Sequence, residues 1–63
     1  MFKLEIRTAG AAFKDPFTGE FDNQSECEEI VRILKEVENQ LKHGLSGRSI
    51  IDINGNKVGY WSR

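Results

Sequence analysis

The groups able to do covalent or acid–base chemistry in this chain are few: one cysteine, Cys27, one histidine, His43, and a run of carboxylates. A nucleophilic thiol needs a base beside it to hold the thiolate. His43 is the one histidine on offer, and on a shared helix it lies about 24 Å further along. No Cys–His pair forms at that separation. Cys27 therefore reads as a small apolar helix residue, and His43 as an exposed complement to a helix C-terminus. Asp15, Glu20, Asp22 and Asn23 gather oxygen ligands, but without the alternating spacing and closing Glu of a calcium loop. Solvated loop acids are the expectation there, with no metal. Ser46-Gly47-Arg48-Ser49 has the residue types of a phosphate cradle, yet it precedes a strand and lacks a helix dipole. The glycines match neither the dinucleotide nor the nucleoside-triphosphate fingerprint. With no nucleophile, acid and base brought together, the expectation is a protein that is not an enzyme and takes no cofactor.

The 63 residues form one domain, 38% apolar and 30% charged, with a net charge of −1. That composition fits a small globular protein rather than a disordered one. The near-zero charge gives no general argument for nucleic acid. No apolar run approaches a membrane span. The first residues alternate charged with apolar, which is not a secretory signal, so a cytoplasmic protein with no membrane attachment is expected. A single cysteine cannot staple the fold internally.

Four segments organise the chain. Phe2 to Thr8 alternates strictly, placing Phe2, Leu4 and Ile6 on one face and Lys3, Glu5 and Arg7 on the other, which predicts a half-buried strand over about 2–8. A long connection follows over about 9–24, carrying Pro16 and Gly19 as turn residues and Phe13, Phe17 and Phe21 as aromatic anchors. At least one of the three should tuck against the core. Ser25-Glu26-Cys27-Glu28 reads as a capping box that opens a helix over about 26–43. Its predicted apolar stripe is Cys27, Ile30, Val31, Leu34, Val37 and Leu41, with Ile33 off the stripe toward its edge. Gly44 suits the position just past the helix end.

Residues 49–62 predict a hairpin around Asn54-Gly55-Asn56, with Asn54-Gly55 or Gly55-Asn56 at the centre of a two-residue turn. Either choice gives one pairing parity. Ile51, Ile53, Val58 and Tyr60 then face the helix, and Ile50, Asp52, Lys57, Gly59 and Trp61 face outward with Lys3, Glu5 and Arg7. The order β, loop, α, β, β predicts a two-layer α+β domain. One amphipathic helix covers a three-stranded antiparallel sheet in the order 1-3-2, with a right-handed crossover.

On this reading two surfaces are left for work. The outer sheet face gathers Arg7, Arg48, Ile50, Lys57 and Trp61, an aromatic and an aliphatic ringed by bases, which has the composition of a protein-binding hot spot. The same set would accept single-stranded nucleic acid, against which Glu5 and Asp52 on that face count. The acidic stretch with Asp15, Glu20, Asp22 and Glu26 is the second surface, either a solvated loop and helix start or a patch that docks on a basic protein.

The alternating first strand, Ala11-Ala12-Phe13, the acidic helix with Val31-Arg32-Ile33-Leu34, and Asp52-Ile53-Asn54-Gly55-Asn56-Lys57-Val58-Gly59 together resemble a family of small proteins encoded in bacterial phages, prophages and other mobile elements. The likeness covers most of the chain. The family often has Asn before the Ala-Ala-Phe, where Gly10 stands here. What the resemblance implies is a genomic setting rather than an activity, and it carries no functional residue across. The expectation is a non-enzymatic interaction module that binds another protein or itself, as a homodimer. The alternatives are a nucleic-acid-binding accessory protein and an anti-defence inhibitor docking through its acidic segment.

Overall fold

The computed structural model describes residues 1–63. Strand β1 spans Lys3–Ile6, helix α1 Asn23–Lys42, β2 Gly47–Ile51 and β3 Lys57–Ser62, with a single 3₁₀ turn at Ala11–Phe13. The three strands form an antiparallel sheet in the order β1-β3-β2, and α1 packs on one face. This is the two-layer α+β arrangement that the sequence predicts. No helix is long and apolar enough to cross a membrane.

The helix begins earlier than the Ser-x-x-Glu pattern suggests. Asp22 is the N-cap, and its carboxylate accepts from both the Ser25 N–H (2.9 Å) and the Ser25 hydroxyl (2.7 Å). Ser25 thus sits inside the first turn, and the capping box on Glu28 does not form; Glu28 instead accepts from the Gln24 amide. At the other end Gly44 takes φ +80°, its N–H donates to Leu41 and the Leu45 N–H donates to Gln40. Those two bonds satisfy carbonyls that the last helical turn would otherwise leave open.

The buried side of the helix is also rotated from the predicted stripe. Ile33 is 1% exposed and lies at the centre of the core with Val37, while Cys27, Val31, Leu34 and Leu41 face solvent. Apolar residues cover a wider arc of this helix than one sheet can bury. What selects Ile33 is the layer beneath: Phe13 of the 3₁₀ turn with Ile50, Val58 and Trp61 of the sheet complete the same cluster, with Leu4, Ile6, Ala12, Ile30 and Leu45 around it. Phe13 is the loop aromatic that tucks in; Phe17 and Phe21 stay outside.

The hairpin departs from the predicted facing. Its loop has three residues, not two. Gly55 N–H donates to Asp52 O (3.0 Å), Asp52 N–H donates to Asn56 O (2.8 Å), and only Gly55 has positive φ, +87°. This is a turn centred on Ile53-Asn54 followed by a glycine bulge. It pairs Ile51 with Lys57, whereas the next pair is Ile50 with Gly59, leaving Val58 as an extra residue. A β-bulge of this kind turns two successive residues toward one side. Val58 and Gly59 are both buried, and Ile50 and Trp61 lie inward with them, while Ile51, Ile53 and Tyr60 are exposed. Gly59 is required by close approach: a Cβ there would collide with the Glu5 carbonyl of β1.

Candidate interaction surface

The groups with chemical potential stay apart. Cys27 is exposed near the start of α1. His43 is exposed at its C-cap, with Nδ1 2.8 Å from the Asn39 carbonyl. No three His, Cys, Asp or Glu side chains gather as a metal site. Gly47, Arg48 and Ser49 are absorbed into β2, so their backbone does not form a phosphate loop.

Two carboxylates are buried, and both work for the fold. Asp52 sits under the hairpin turn, where its Oδ1 accepts from the Asn54 and Asn56 N–H groups, each at 2.9 Å. The alternation of the hairpin predicts Asp52 on the outer face, but its bonds to the turn N–H groups draw it in. Glu29 lies on the buried side of α1. Arg32 grips it through Nε (2.7 Å) and Nη2 (2.9 Å), and Glu29 accepts the Ile53 N–H at 2.8 Å. The guanidinium also donates to the Ile51 carbonyl (3.2 Å) and to Glu36 (2.8 Å). Hydrogen bonds from Arg32 hold the Glu29 carboxyl below its ordinary range against the opposing effect of burial, and the Ile53 N–H helps. The same bonds raise the Arg32 guanidinium. This cluster ties the helix to the hairpin and leaves no free acid or base.

Of the residues expected on the outer sheet face, Ile50 and Trp61 are not there. Trp61 is a core residue, 1% exposed, and its indole N–H donates to Gln40 at 2.6 Å. Phe2 partly caps it, with ring centroids 6.0 Å apart. Arg48 stands opposite Trp61 on β2, so it belongs to the helix-side row, although as an edge residue it reaches solvent. Arg7 and Lys57 do lie on the outer face, where Arg7 Nη2 donates to the Lys57 carbonyl at 3.1 Å.

In place of the missing pair the outer face presents Tyr60, 43% exposed, at the middle of the central strand between Glu5 and Ser49. Ile51 is exposed on the same face, and Ile53 is exposed in the adjoining turn. Lys3, Arg7 and Lys57 supply three positive charges there against Glu5 alone. No element covers this face. The exchange comes from the pairing with β1: Leu4 stands opposite Trp61 and Ile6 opposite Gly59, so the apolar row of β1 shares its face with Trp61 and Ile50.

The acidic stretch is less free than its composition suggests. Asp15 Oδ1 accepts from the Phe17 (2.7 Å) and Thr18 (3.1 Å) N–H groups, and Asp22 is committed to the helix cap. Glu26 is half-buried, which leaves Glu20 and Glu28 open to solvent. Phe17 projects from this loop, 95% exposed.

Comparison with protein-family models, with curated proteins and with solved structures gives no match for this chain.

Proposed function

We propose that this chain is a small non-enzymatic protein-interaction module, of the kind carried by phages and mobile elements, that binds a partner protein through the open face of its sheet. The observation that carries the reading is the exposed group Tyr60, Ile51 and Ile53 with Lys3, Arg7 and Lys57 around it. Tyrosine and arginine are the residue types that dominate binding energy when desolvated, and a rigid sheet presents them at little ordering cost. The test compares capture from an extract of the source cell by the wild-type chain and by Tyr60→Ala and Ile51→Ser. A discrete partner retained by the wild type and lost by both variants supports the reading; equal capture by all three overturns it.

A second reading, a nucleic-acid-binding accessory protein, draws on the same face. With Asp52 withdrawn under the turn, three bases surround one exposed aromatic. Stacking on Tyr60 with phosphate contacts from Lys3, Arg7 and Lys57 would give single-strand binding that weakens with salt. Titration with single-stranded DNA at low and high salt separates the readings, because a protein-binding face gives no salt-dependent DNA signal. The inhibitor reading through the acidic segment is weaker, since Asp15 and Asp22 are spent on internal hydrogen bonds.

A further inference from the structure

We propose that two copies of this chain associate through β1, pairing it antiparallel with β1 of the second copy so that two three-stranded sheets become one sheet of six. β1 is an edge strand, bonded only to β3. The Arg7 N–H donates to the Val58 carbonyl at 2.7 Å, and Arg7 continues the register that sets Ile6 opposite Gly59. Backbone groups alternate sides along an antiparallel strand. Those of Lys3, Glu5 and Arg7 therefore point to β3, and those of Leu4 and Ile6 point out from the sheet. A two-fold axis beside Leu4 sets Leu4 against Leu4 of the second copy and Phe2 against Ile6 of the second copy. Each outward N–H then meets an outward carbonyl.

The side chains select the same register. With Leu4 on the axis, Lys3 stands directly opposite Glu5 of the second copy, and Glu5 opposite Lys3, both on the solvent face. Moving the two-fold axis by one residue in either direction, a two-residue shift of the pairing, sets Glu5 against Glu5 or Lys3 against Lys3. Within one chain neither residue makes an ion pair. Opposite charges directly across a strand pair stabilise it, and like charges do the reverse. The other edge, β2, has no such complement, since Arg48 is its one charged residue.

The apolar surface left bare on this side of the molecule fits the same occupant. Phe2 is half-exposed, and Leu4 and Ile6 are only partly covered. Arg32 reaches the Ile51 carbonyl of β2, so the opposite flank of α1, which carries the exposed Leu34 and Leu41, lies toward β1. A second copy docked on β1 brings its own Phe2 and Leu4 beside that flank. A two-fold contact of this kind is self-complementary and closes at two copies. It shares only Lys3 with the partner-binding face, so loss of the dimer in Glu5→Lys and loss of a partner in Tyr60→Ala report on the two readings separately.

The experiment is sedimentation equilibrium across the micromolar to millimolar range on the wild type, Lys3→Glu, Glu5→Lys and the double exchange. Circular dichroism on each confirms the fold. A wild-type dimer is expected, with its dissociation constant raised about tenfold or more by either single reversal and restored by the double exchange. In the dimer the Leu4 and Ile6 amides should gain protection from hydrogen exchange as concentration rises, whereas those of Glu5 and Arg7 are protected throughout. A monomer at all concentrations overturns the proposal. So does a dimer indifferent to both reversals, or one whose Leu4 and Ile6 amides exchange as in the monomer.

Discussion

At Glu29 a carboxylate lies beneath the hairpin turn, gripped by Arg32 and bonded to the Ile53 N–H. Removing its charge leaves Arg32 without its main partner and weakens the bond to the turn. Glu29→Gln should therefore cost about 1–3 kcal/mol of stability, read from urea unfolding. The pH dependence has a definite sign. The folded carboxyl titrates below its ordinary value of 4.5. Between those two values the unfolded chain binds the proton and the folded chain does not, so stability falls as pH drops through that window. The contribution is fully present above about pH 5 and is lost once the folded carboxyl protonates. Asp22, also lowered, by hydrogen bonds from Ser25, acts in the same direction. Glu29→Gln should flatten the acid limb of the stability profile. An unchanged limb would show that the Arg32 contact does not hold the charge.

At the scale of elements, the exposure of neighbouring helix residues makes opposite forecasts. Ile33 is 1% and Leu34 is 44% exposed. Ile33→Ala should cost about 2–4 kcal/mol and Leu34→Ala less than about 1 kcal/mol, by urea titration of each. The sequence made the helix itself legible, because apolar three- and four-residue spacing, first-turn acids and Gly44 all agree. It left the buried side open. Cys27, Ile30, Val31, Ile33, Leu34, Val37 and Leu41 span more of the helix than one sheet can cover, and only tertiary packing decides among them. The cap is ambiguous in the sequence for a related reason, since Asp22 and Ser25 are both good N-caps three residues apart. Asp22→Ala should lower the urea midpoint, because the Ser25 N–H loses its cap. In the hairpin the existence and order of the strands follow from β-forming runs around a glycine turn, and of the two turn centres the sequence offers, Asn54-Gly55 is the one whose register pairs Ile50 with Gly59. The extra loop residue and the extra residue at Val58 each shift the parity once and cancel, so Ile50, Asp52, Gly59 and Trp61 still share one face and Ile51, Ile53 and Tyr60 the other, and only Lys57 and Val58 change sides. Which row meets the helix is set by β1, whose Leu4 and Ile6 stand opposite Trp61 and Gly59, a long-range pairing that the hairpin pattern does not contain. Gly59→Ala tests the close approach of β1 to β3. The added Cβ must displace β1, so a loss of about 3 kcal/mol or more, or failure to fold, is expected.

The molecule as a whole is thin. Its smallest extent is 15 Å, room for one helix layer on one sheet layer and nothing more. One sheet face must then be bare, and the pairing of β3 with β1, Leu4 opposite Trp61 and Glu5 opposite Tyr60, decides which aromatic occupies it. That makes Tyr60 and Trp61, adjacent in sequence, a paired test of the whole architecture. Trp61 fills the core and bonds Gln40, so Trp61→Ala should cost about 3–5 kcal/mol, close to the entire stability of a domain this small. Tyr60 contributes surface, and Tyr60→Ala should stay within about 1 kcal/mol of the wild type. The chain has one tryptophan, which supplies its own reporter. Folded, it should emit at short wavelength and resist acrylamide, and both properties should vanish together across the urea transition. An emission already red and quenchable in the folded protein would return Trp61 to the outer face, and Tyr60, Ile51 and the partner surface built on them would go with it.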